Sequence, residues 1–250
     1  MCASDPVPSV EDMKTAPVAV VTGASRGLGR ALAAALAEAG YLLIINARNG
    51  AALEAAAAEL GSRYGWRVTA IPGDIADPAH RASLAAAAAD LGGASLLVNN
   101  AGTLGVSPLP SLADYPADQL LAALNVNVVA PIALTQLLLP ELRRLGGAVL
   151  SVTSDAATEA YAGWGGYGAA KAALEQASNV LAAEESAVRI WWVDPGDLRT
   201  QMHQEAFPGE DISDRQLPEA VTPAFMRIIT ERMPSGRYRA ADLRPAGAAA

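Results

Sequence analysis

The sequence is short of cysteine, of lysine and of charge. Its only cysteine is Cys2, so the chain can form no internal disulfide and offers no cysteine-based metal site; no metal is expected. Charged residues make up 18% of the 250 residues, and their balance is acidic, formally -8. That argues against the clustered basic surface that grips nucleic-acid phosphates. The opening stretch MCASDPVPSVEDMK has no apolar h-region, which argues against a secretory signal. Charge, glycine or proline interrupts the longest apolar runs short of a membrane span. These absences together predict a soluble cytoplasmic protein with neither a nucleic acid nor a membrane as partner. Lysine is the least expected shortage. Of 18 basic residues only Lys14 and Lys171 are lysines.

What is present is an apolar chain, 52% hydrophobic by count, enough to bury a substantial core. Residues 1–15 read as a disordered arm and 241–250 as a frayed tail. Between them, strand-like and helix-like stretches alternate over 16–240. PVAVVTG, YLLIINA, RVTAIPGD, SLLVNNAG, GAVLSVTS and VRIWWVDPG are short continuous apolar runs, the form strands take in a parallel sheet covered on both faces. Helices are predicted over 50–61, ending near Gly61, then 78–91, 115–124, 126–145, 167–185 and 218–232, with Pro131 and Pro140 as kinks or ends. SGRYRAADL is a candidate seventh strand. The alternation predicts a single-domain α/β fold, a doubly wound parallel sheet with helices on both faces. The polar stretch 197–217 breaks the rhythm and reads as a binding loop.

Between the first strand and the first helix, VVTGASRGLGRAL carries Gly23, Gly27 and Gly29. Glycine there lets the chain turn tightly, lets a pyrophosphate approach the backbone and lets the helix pack close to the sheet. The GxxxGxG spacing alone also fits an ordinary strand-to-helix turn. The second strand ends NARN, with Ala47 and Arg48 and no carboxylate for ribose hydroxyls. Arg26 inside the glycine loop and Arg48 can both reach a 2′-phosphate, which predicts NADP(H) over NAD(H); Arg48 capping the sheet edge in solvent is the competing reading.

Tyr167 and Lys171 stand four apart on a predicted helix, hence on one face. An ammonium beside a phenol favours the phenolate and lowers its pKa toward useful acid–base range. A compact point charge suits that place better than a planar fork, which gives a reason for lysine at 171. Ser154 lies just past the fifth strand, at the carboxyl edge where such sheets bind ligands; Ser151 and Thr153 are its competitors for polarising a carbonyl.

TGASRGLG at 22–29, NNAG at 99–102, Ser154 with YGAAK at 167–171, and PG at 195–196 stand in one order and approximate spacing. In these motifs, over about residues 17–200, the chain resembles the short-chain dehydrogenase/reductase superfamily, in its "classical" branch, whose fold is Rossmann-like. The resemblance implies a carbonyl reductase or the reverse alcohol dehydrogenase using NADP(H). Tyr167 would be general acid or base, Ser154 would polarise the carbonyl, and Lys171 would bind nicotinamide ribose and lower the tyrosine pKa. Asn127, with Asn125 as competitor, would hold a water leading to solvent. Gly23, Ser25, Arg26, Gly27, Leu28, Gly29, Asn100, Ala101, Gly102, Pro195 and Gly196 would line the cofactor, Asp74 and Ile75 would flank its adenine, and Thr200 would contact its carboxamide. Candidate substrate walls are Leu104, Asp155, Tyr161, Trp164, Met202, His203 and Phe207, which suggest a small apolar or aromatic carbonyl or alcohol. Asp155 and Asp194 depart from the family pattern and put acid near the pocket. The family's glycine-rich C-terminal strand end is missing, so a homodimer through 115–145 and 167–185 is expected, with a homotetramer the alternative. A cofactor-recycling epimerase or dehydratase, and a non-catalytic NADP(H) sensor, are the competing functions.

Overall fold

The computed structural model describes residues 15–65 and 68–243. Nearly all of the expected N-terminal arm and most of the expected tail lie outside these residues. Seven parallel strands form one sheet in the order β3-β2-β1-β4-β5-β6-β7: β1 Val18–Val21, β2 Leu42–Ala47, β3 Val68–Pro72, β4 Leu96–Asn99, β5 Ala148–Val152, β6 Arg189–Asp194 and β7 Gly236–Arg239. The doubly wound parallel α/β sheet read from the sequence is therefore the fold. From β1 the chain winds outward through β2 and β3, then returns to β4 on the other side. That reversal opens a crevice at the carboxyl ends of β1 and β4.

The five inner strands, β1, β2, β4, β5 and β6, are buried on both faces apart from Arg189, which is why they read as apolar runs, while the edge strands β3 and β7 are only partly buried. Along β1 and β2 alternate residues go to opposite layers. Val21, Leu43 and Ile45 meet one helical layer: α1 (Gly27–Glu38) through Leu32 and Leu36, α2 (Gly50–Tyr64) through Leu53 and Leu60, and α8 (Thr222–Thr230) through Phe225 and Ile228. Val20 and Ile44 face the other: α3 (Pro78–Asp90) through Leu84, and α5 (Ala130–Leu145) through Leu134, Leu138 and Leu142. Helix α6 (Gly165–Glu184) packs over β6 and against residues 117–129, and the short α7 spans Gln201–Ala206.

Helix starts follow local chemistry. Asn49 accepts from the Ala52 N–H at 3.0 Å to start α2, and Asp77 accepts from the Ala79 N–H at 2.9 Å, with Pro78 opening α3. The end expected at Gly61 is displaced. Helix α2 runs on to Tyr64 and stops at Gly65, whose φ of 72° is the left-handed cap that glycine adopts at little cost. Gly61 sits inside the helix, where its propensity penalty is outweighed by the burial of Leu60 and Leu53.

Of the two prolines read as kinks or ends, neither ends a helix: Pro131 stands in the first turn of α5 (Ala130–Leu145) and Pro140 inside it. Helix α4 (Ala117–Leu124) passes through a single π turn, Asn125–Val129, directly into α5. Pro131 falls in the first turn after that bulge, where its missing N–H does least damage. The continuous run Ala117–Leu145 is long and apolar enough to cross a membrane by length and composition, and about a third of its apolar window, 33%, is buried against the rest of the chain. Leu121, Val129 and Leu137 on it are exposed, as is Val180 on α6.

Candidate active site

The glycine loop is built for contact with the end of β4. A Cβ at Gly29 would lie 2.3 Å from both the Gly23 carbonyl oxygen and Asn100 Nδ2, and one at Gly23 would lie 2.9 Å from the Ala101 Cα. Asn100 holds the turn by donating from Nδ2 to the carbonyls of Thr22 (2.9 Å) and Gly23 (3.1 Å). Thr22 Oγ1 accepts from the N–H groups of Asn100 and Ala101, both at 3.0 Å. Neither Thr22 nor this double role of Asn100 was legible from the glycine spacing. Arg26 occupies the N-cap of α1 without a side-chain acceptor for the first-turn N–H groups, so Gly27, Leu28 and Gly29 present donors and the positive end of the helix to the crevice. A pyrophosphate-bearing dinucleotide fits such a cradle. Ser25 is half-buried, and Arg26 and Arg48 are exposed at its rim; Arg26 Nη1 donates to Gln201 Oε1 on α7.

Beyond β3, Asp74 is exposed and its Oδ1 accepts from the Ala76 N–H at 2.9 Å, while Ile75 is buried. A cluster that the sequence did not suggest lies beneath them. His80 on α3 is buried, with Nε2 2.6 Å from Asn46 Nδ2, and Asn46 also donates to the Gly73 carbonyl at 2.9 Å. Gly73 has no room for a Cβ, which would come 2.2 Å from His80 Nδ1. Arg81 donates to the Ile75 carbonyl at 2.7 Å. Burial pushes the His80 pKa down, against the opposing pull of Asp77 and Asp74.

Tyr167, Lys171 and Ser154 meet at the carboxyl edge of β5. Tyr167 and Lys171 stand on α6, with Lys171 Nζ 5.6 Å from the Tyr167 ring centroid. Nζ donates to the Val152 carbonyl at 2.9 Å. Burial pushes the Lys171 pKa down to about 8, with Glu175 opposing. Burial pushes the Tyr167 phenol up, Asp155 and Asp194 add to this, and a hydrogen bond with Ser154 pulls it back. The expected lowering by Lys171 is therefore not what governs the phenol. The ammonium lies over the ring and is engaged with a backbone carbonyl, while two carboxylates act on the hydroxyl.

The π turn carries Asn127 into the interior, 1% exposed, and leaves Asn125 in solvent. Asn127 Oδ1 accepts from the Thr103 N–H at 2.9 Å and Nδ2 donates to the Thr103 carbonyl at 2.8 Å. A Cβ on Gly102 would sit 3.0 Å from Asn127 Oδ1 and 3.7 Å from Lys171 Nζ, so the three converge. Pro131 has no N–H for the backbone carbonyl of Asn127 four residues earlier. Ser151 and Thr153 are buried; Thr153 donates to Glu175 Oε1 at 2.7 Å and points away from the crevice.

Behind the site runs an ionic network. Arg237 on β7 reaches Glu175 at 3.0 Å, the Ser154 carbonyl at 3.4 Å and Asp194 Oδ2 at 3.8 Å. Asp194 Oδ1 accepts from the Gly196 N–H at 2.9 Å, bracing the Pro195–Gly196 turn, and burial pushes its pKa up. Glu175, one turn beyond Lys171, was findable from helical spacing; Arg237 comes from the far end of the chain and was not.

Leu104, Ala156, Tyr167 and Ala206 form a small apolar cluster with Trp164, Met202 and Phe207 packed against it. Trp164 meets Tyr167 edge-on at 5.7 Å and Phe207 at 5.8 Å, and His203 lies 5.0 Å from Phe207. Thr200 caps α7 by accepting from the His203 N–H at 3.2 Å, and its Cγ2 lies 3.5 Å from where a Gly27 Cβ would be. A bridge between Leu198 and Gln216 closes the base of the 197–217 loop. Tyr161 stands in the exposed wall, 46% accessible. Among the described residues no group of His, Cys, Asp and Glu could hold a metal ion.

Fold, crevice and side-chain order together define a nicotinamide-dependent oxidoreductase of the doubly wound class. The chain belongs to the short chain dehydrogenase family, whose profile matches residues 17–211. Cow (Bos taurus) sepiapterin reductase is 36% identical over 75% of this chain and 74% of its own length. A short chain dehydrogenase of Shigella flexneri, solved in complex with NADP, superposes with a TM-score of 0.84 at 28% identity, over 90% of this chain and 97% of that one. A short chain dehydrogenase of Escherichia coli CFT073, solved with NADPH, gives 0.84 at 29% identity over 93% and 99%.

Proposed function

We propose that this protein is an NADPH-dependent carbonyl reductase, taking a ketone or aldehyde to its alcohol and able to run the reverse reaction. The observation that carries this reading is the Tyr167 hydroxyl, hydrogen-bonded to Ser154 beside the buried Lys171 ammonium at the mouth of the crevice. NADP(H) is the cofactor. Gly23, Gly27, Gly29 and the uncapped N-terminus of α1 hold its pyrophosphate, Asp74 and Ile75 its adenine, Lys171 its ribose and Thr200 its carboxamide. Arg26 and Arg48 favour the 2′-phosphate, since β2 ends in Ala47 without a carboxylate, and two solved relatives are complexes with NADP and NADPH.

Bound NADPH supplies the hydride. The chain supplies the proton and the field. Tyr167 Oη gives its proton to the carbonyl oxygen as negative charge develops there. The phenol is protonated at neutral pH, as a proton donor must be, and burial makes it a weaker acid that the developing negative charge on the carbonyl oxygen has to draw on. Ser154 Oγ orients the carbonyl. Lys171 and Asn127 connect the phenol toward solvent for reprotonation. Trp164, Met202 and Phe207 exclude water and favour an aromatic or apolar substrate. The exposed apolar residues Leu121, Val129, Leu137 and Val180 favour a homodimer through α4, α5 and α6, in the cytoplasm.

The test is NADPH consumption against a panel of ketones and aldehydes, in which sepiapterin belongs because of the cow relative. Net loss of NADPH absorbance with accumulation of alcohol supports the proposal. A transformed substrate with no net NADPH loss would make this an epimerase or dehydratase instead.

A further inference from the structure

Ser154 has one proton, and the structure shows where it goes. Its Oγ donates to Asp155 Oδ1 at 2.9 Å. The same carboxylate oxygen accepts the Ala156 N–H at 2.8 Å, and Asp155 Oδ2 accepts the Tyr161 hydroxyl at 3.0 Å. A serine hydroxyl carries a single donor, and a bond to a carboxylate is about twice as strong as one to a neutral acceptor. A plain ketone must therefore compete with an anion for the only hydrogen Ser154 can offer. The competition changes when the substrate brings a donor of its own. A hydroxyl or amino group on the carbon next to a carbonyl stands about one hydrogen-bond length from the carbonyl oxygen. That is the spacing of Ser154 Oγ and Asp155 Oδ1. Such a substrate lays its donor on Asp155 and its carbonyl on Ser154, and the serine hydroxyl turns from one to the other. Asp155 loses nothing, because Ala156 and Tyr161 keep their bonds to it.

We propose that Asp155 is a specificity-determining residue that selects carbonyl compounds bearing an O–H or N–H donor on the adjacent carbon. This rests on the reading of the protein as a carbonyl reductase and adds the substrate class. The position is suited to it: Asp155 follows the carbonyl-orienting serine directly in a 3₁₀ turn, Asp155–Ala157, half-buried where the Tyr161 and Trp164 walls begin.

The experiment compares kcat/KM with NADPH for phenacyl alcohol against acetophenone, and for hydroxyacetone against acetone, in the wild type, Asp155→Ala and Asp155→Asn. The wild type is expected to favour the hydroxyl-bearing member of each pair by at least ~10-fold. In Asp155→Ala the ratio falls toward one because the hydroxyketone loses rate while the plain ketone holds or gains, its serine now released. Asp155→Asn, which keeps the shape, gives an intermediate ratio and serves if the alanine variant does not fold. A wild-type ratio near one, a ratio unchanged in the variants, or an equal fall for both members overturns the assignment. So does faster reduction of donor-free carbonyls elsewhere in the panel, although that leaves the reductase reading intact. No NADPH consumption with any carbonyl overturns both.

Discussion

Lys171 Nζ lies over the Tyr167 ring, 5.6 Å from its centroid, with its hydrogen bond directed to the Val152 carbonyl 2.9 Å away. The pair is on one helix face, as a spacing of four dictates. Its electrostatics differ from what that spacing suggests. Burial works against charge on both partners, pushing the lysine down to about 8 and the phenol up. At neutral pH the lysine still carries its charge and the phenol its proton.

Holding Lys171 charged at neutral pH costs about 3 kcal/mol, the free energy of the shift from its ordinary value. The sign follows from proton counting. Between the folded value near 8 and the unfolded value near 10.4 the unfolded chain binds the extra proton, so stability rises with pH across that window. Above about 10 the raised Tyr167 acts oppositely. Denaturant unfolding from pH 7 to 10 should show wild-type stability rising relative to Lys171→Met, by up to about 3 kcal/mol. With one other lysine in the chain, little else obscures the comparison. Parallel curves would mean that Lys171 is not depressed.

Glu175 holds the Lys171 charge up and is itself held by Arg237 and Thr153. Glu175→Gln should lower the Lys171 pKa further and move the alkaline limb of kcat/KM to lower pH than in the wild type. A limb that stays put while activity falls uniformly would assign Glu175 to stability alone.

The cradle separates two glycines by mechanism. Gly29→Ala forces a methyl to 2.3 Å from the Gly23 carbonyl and should cost about 1–3 kcal/mol of stability, together with cofactor affinity. Gly27→Ala meets only Thr200, at ordinary contact distances of 3.5 Å (Cγ2) and 3.9 Å (Cβ), so its penalty comes from the positive φ of 56°, about 1 kcal/mol. Thermal unfolding with and without NADPH measures both.

Replacing Arg26 and Arg48 together by alanine should weaken NADPH binding by about 10–100-fold and leave NADH binding unchanged. Titration calorimetry with the two cofactors decides it. Equal loss for both would place the arginines away from the 2′-phosphate.

Local rules carried the reading of the fold far. Continuous apolar strands and a helix after each of the first five gave the parallel doubly wound sheet, because burial on both faces leaves that mark in the sequence. They failed where tertiary contacts overrode propensity: α2 runs through Gly61, and a π turn absorbs the Asn127–Pro131 region and joins α4 to α5. The residues singled out at the site were those whose chemistry is tied to sequence spacing, the glycine turn and the Tyr167–Lys171 face. Arg237, His80 and Thr22 act through contacts made only when distant segments fold together, and no local pattern announces such contacts.

The most direct measurement is steady-state NADPH oxidation with a reducible ketone by wild type and Tyr167→Phe, beside NADPH binding to each. A proton donor at Oη predicts at least ~100-fold lower turnover in the variant, with the dissociation constant of NADPH nearly unchanged. Turnover equal to wild type, in a variant that still binds NADPH, would contradict the assignment of Tyr167 as the acid.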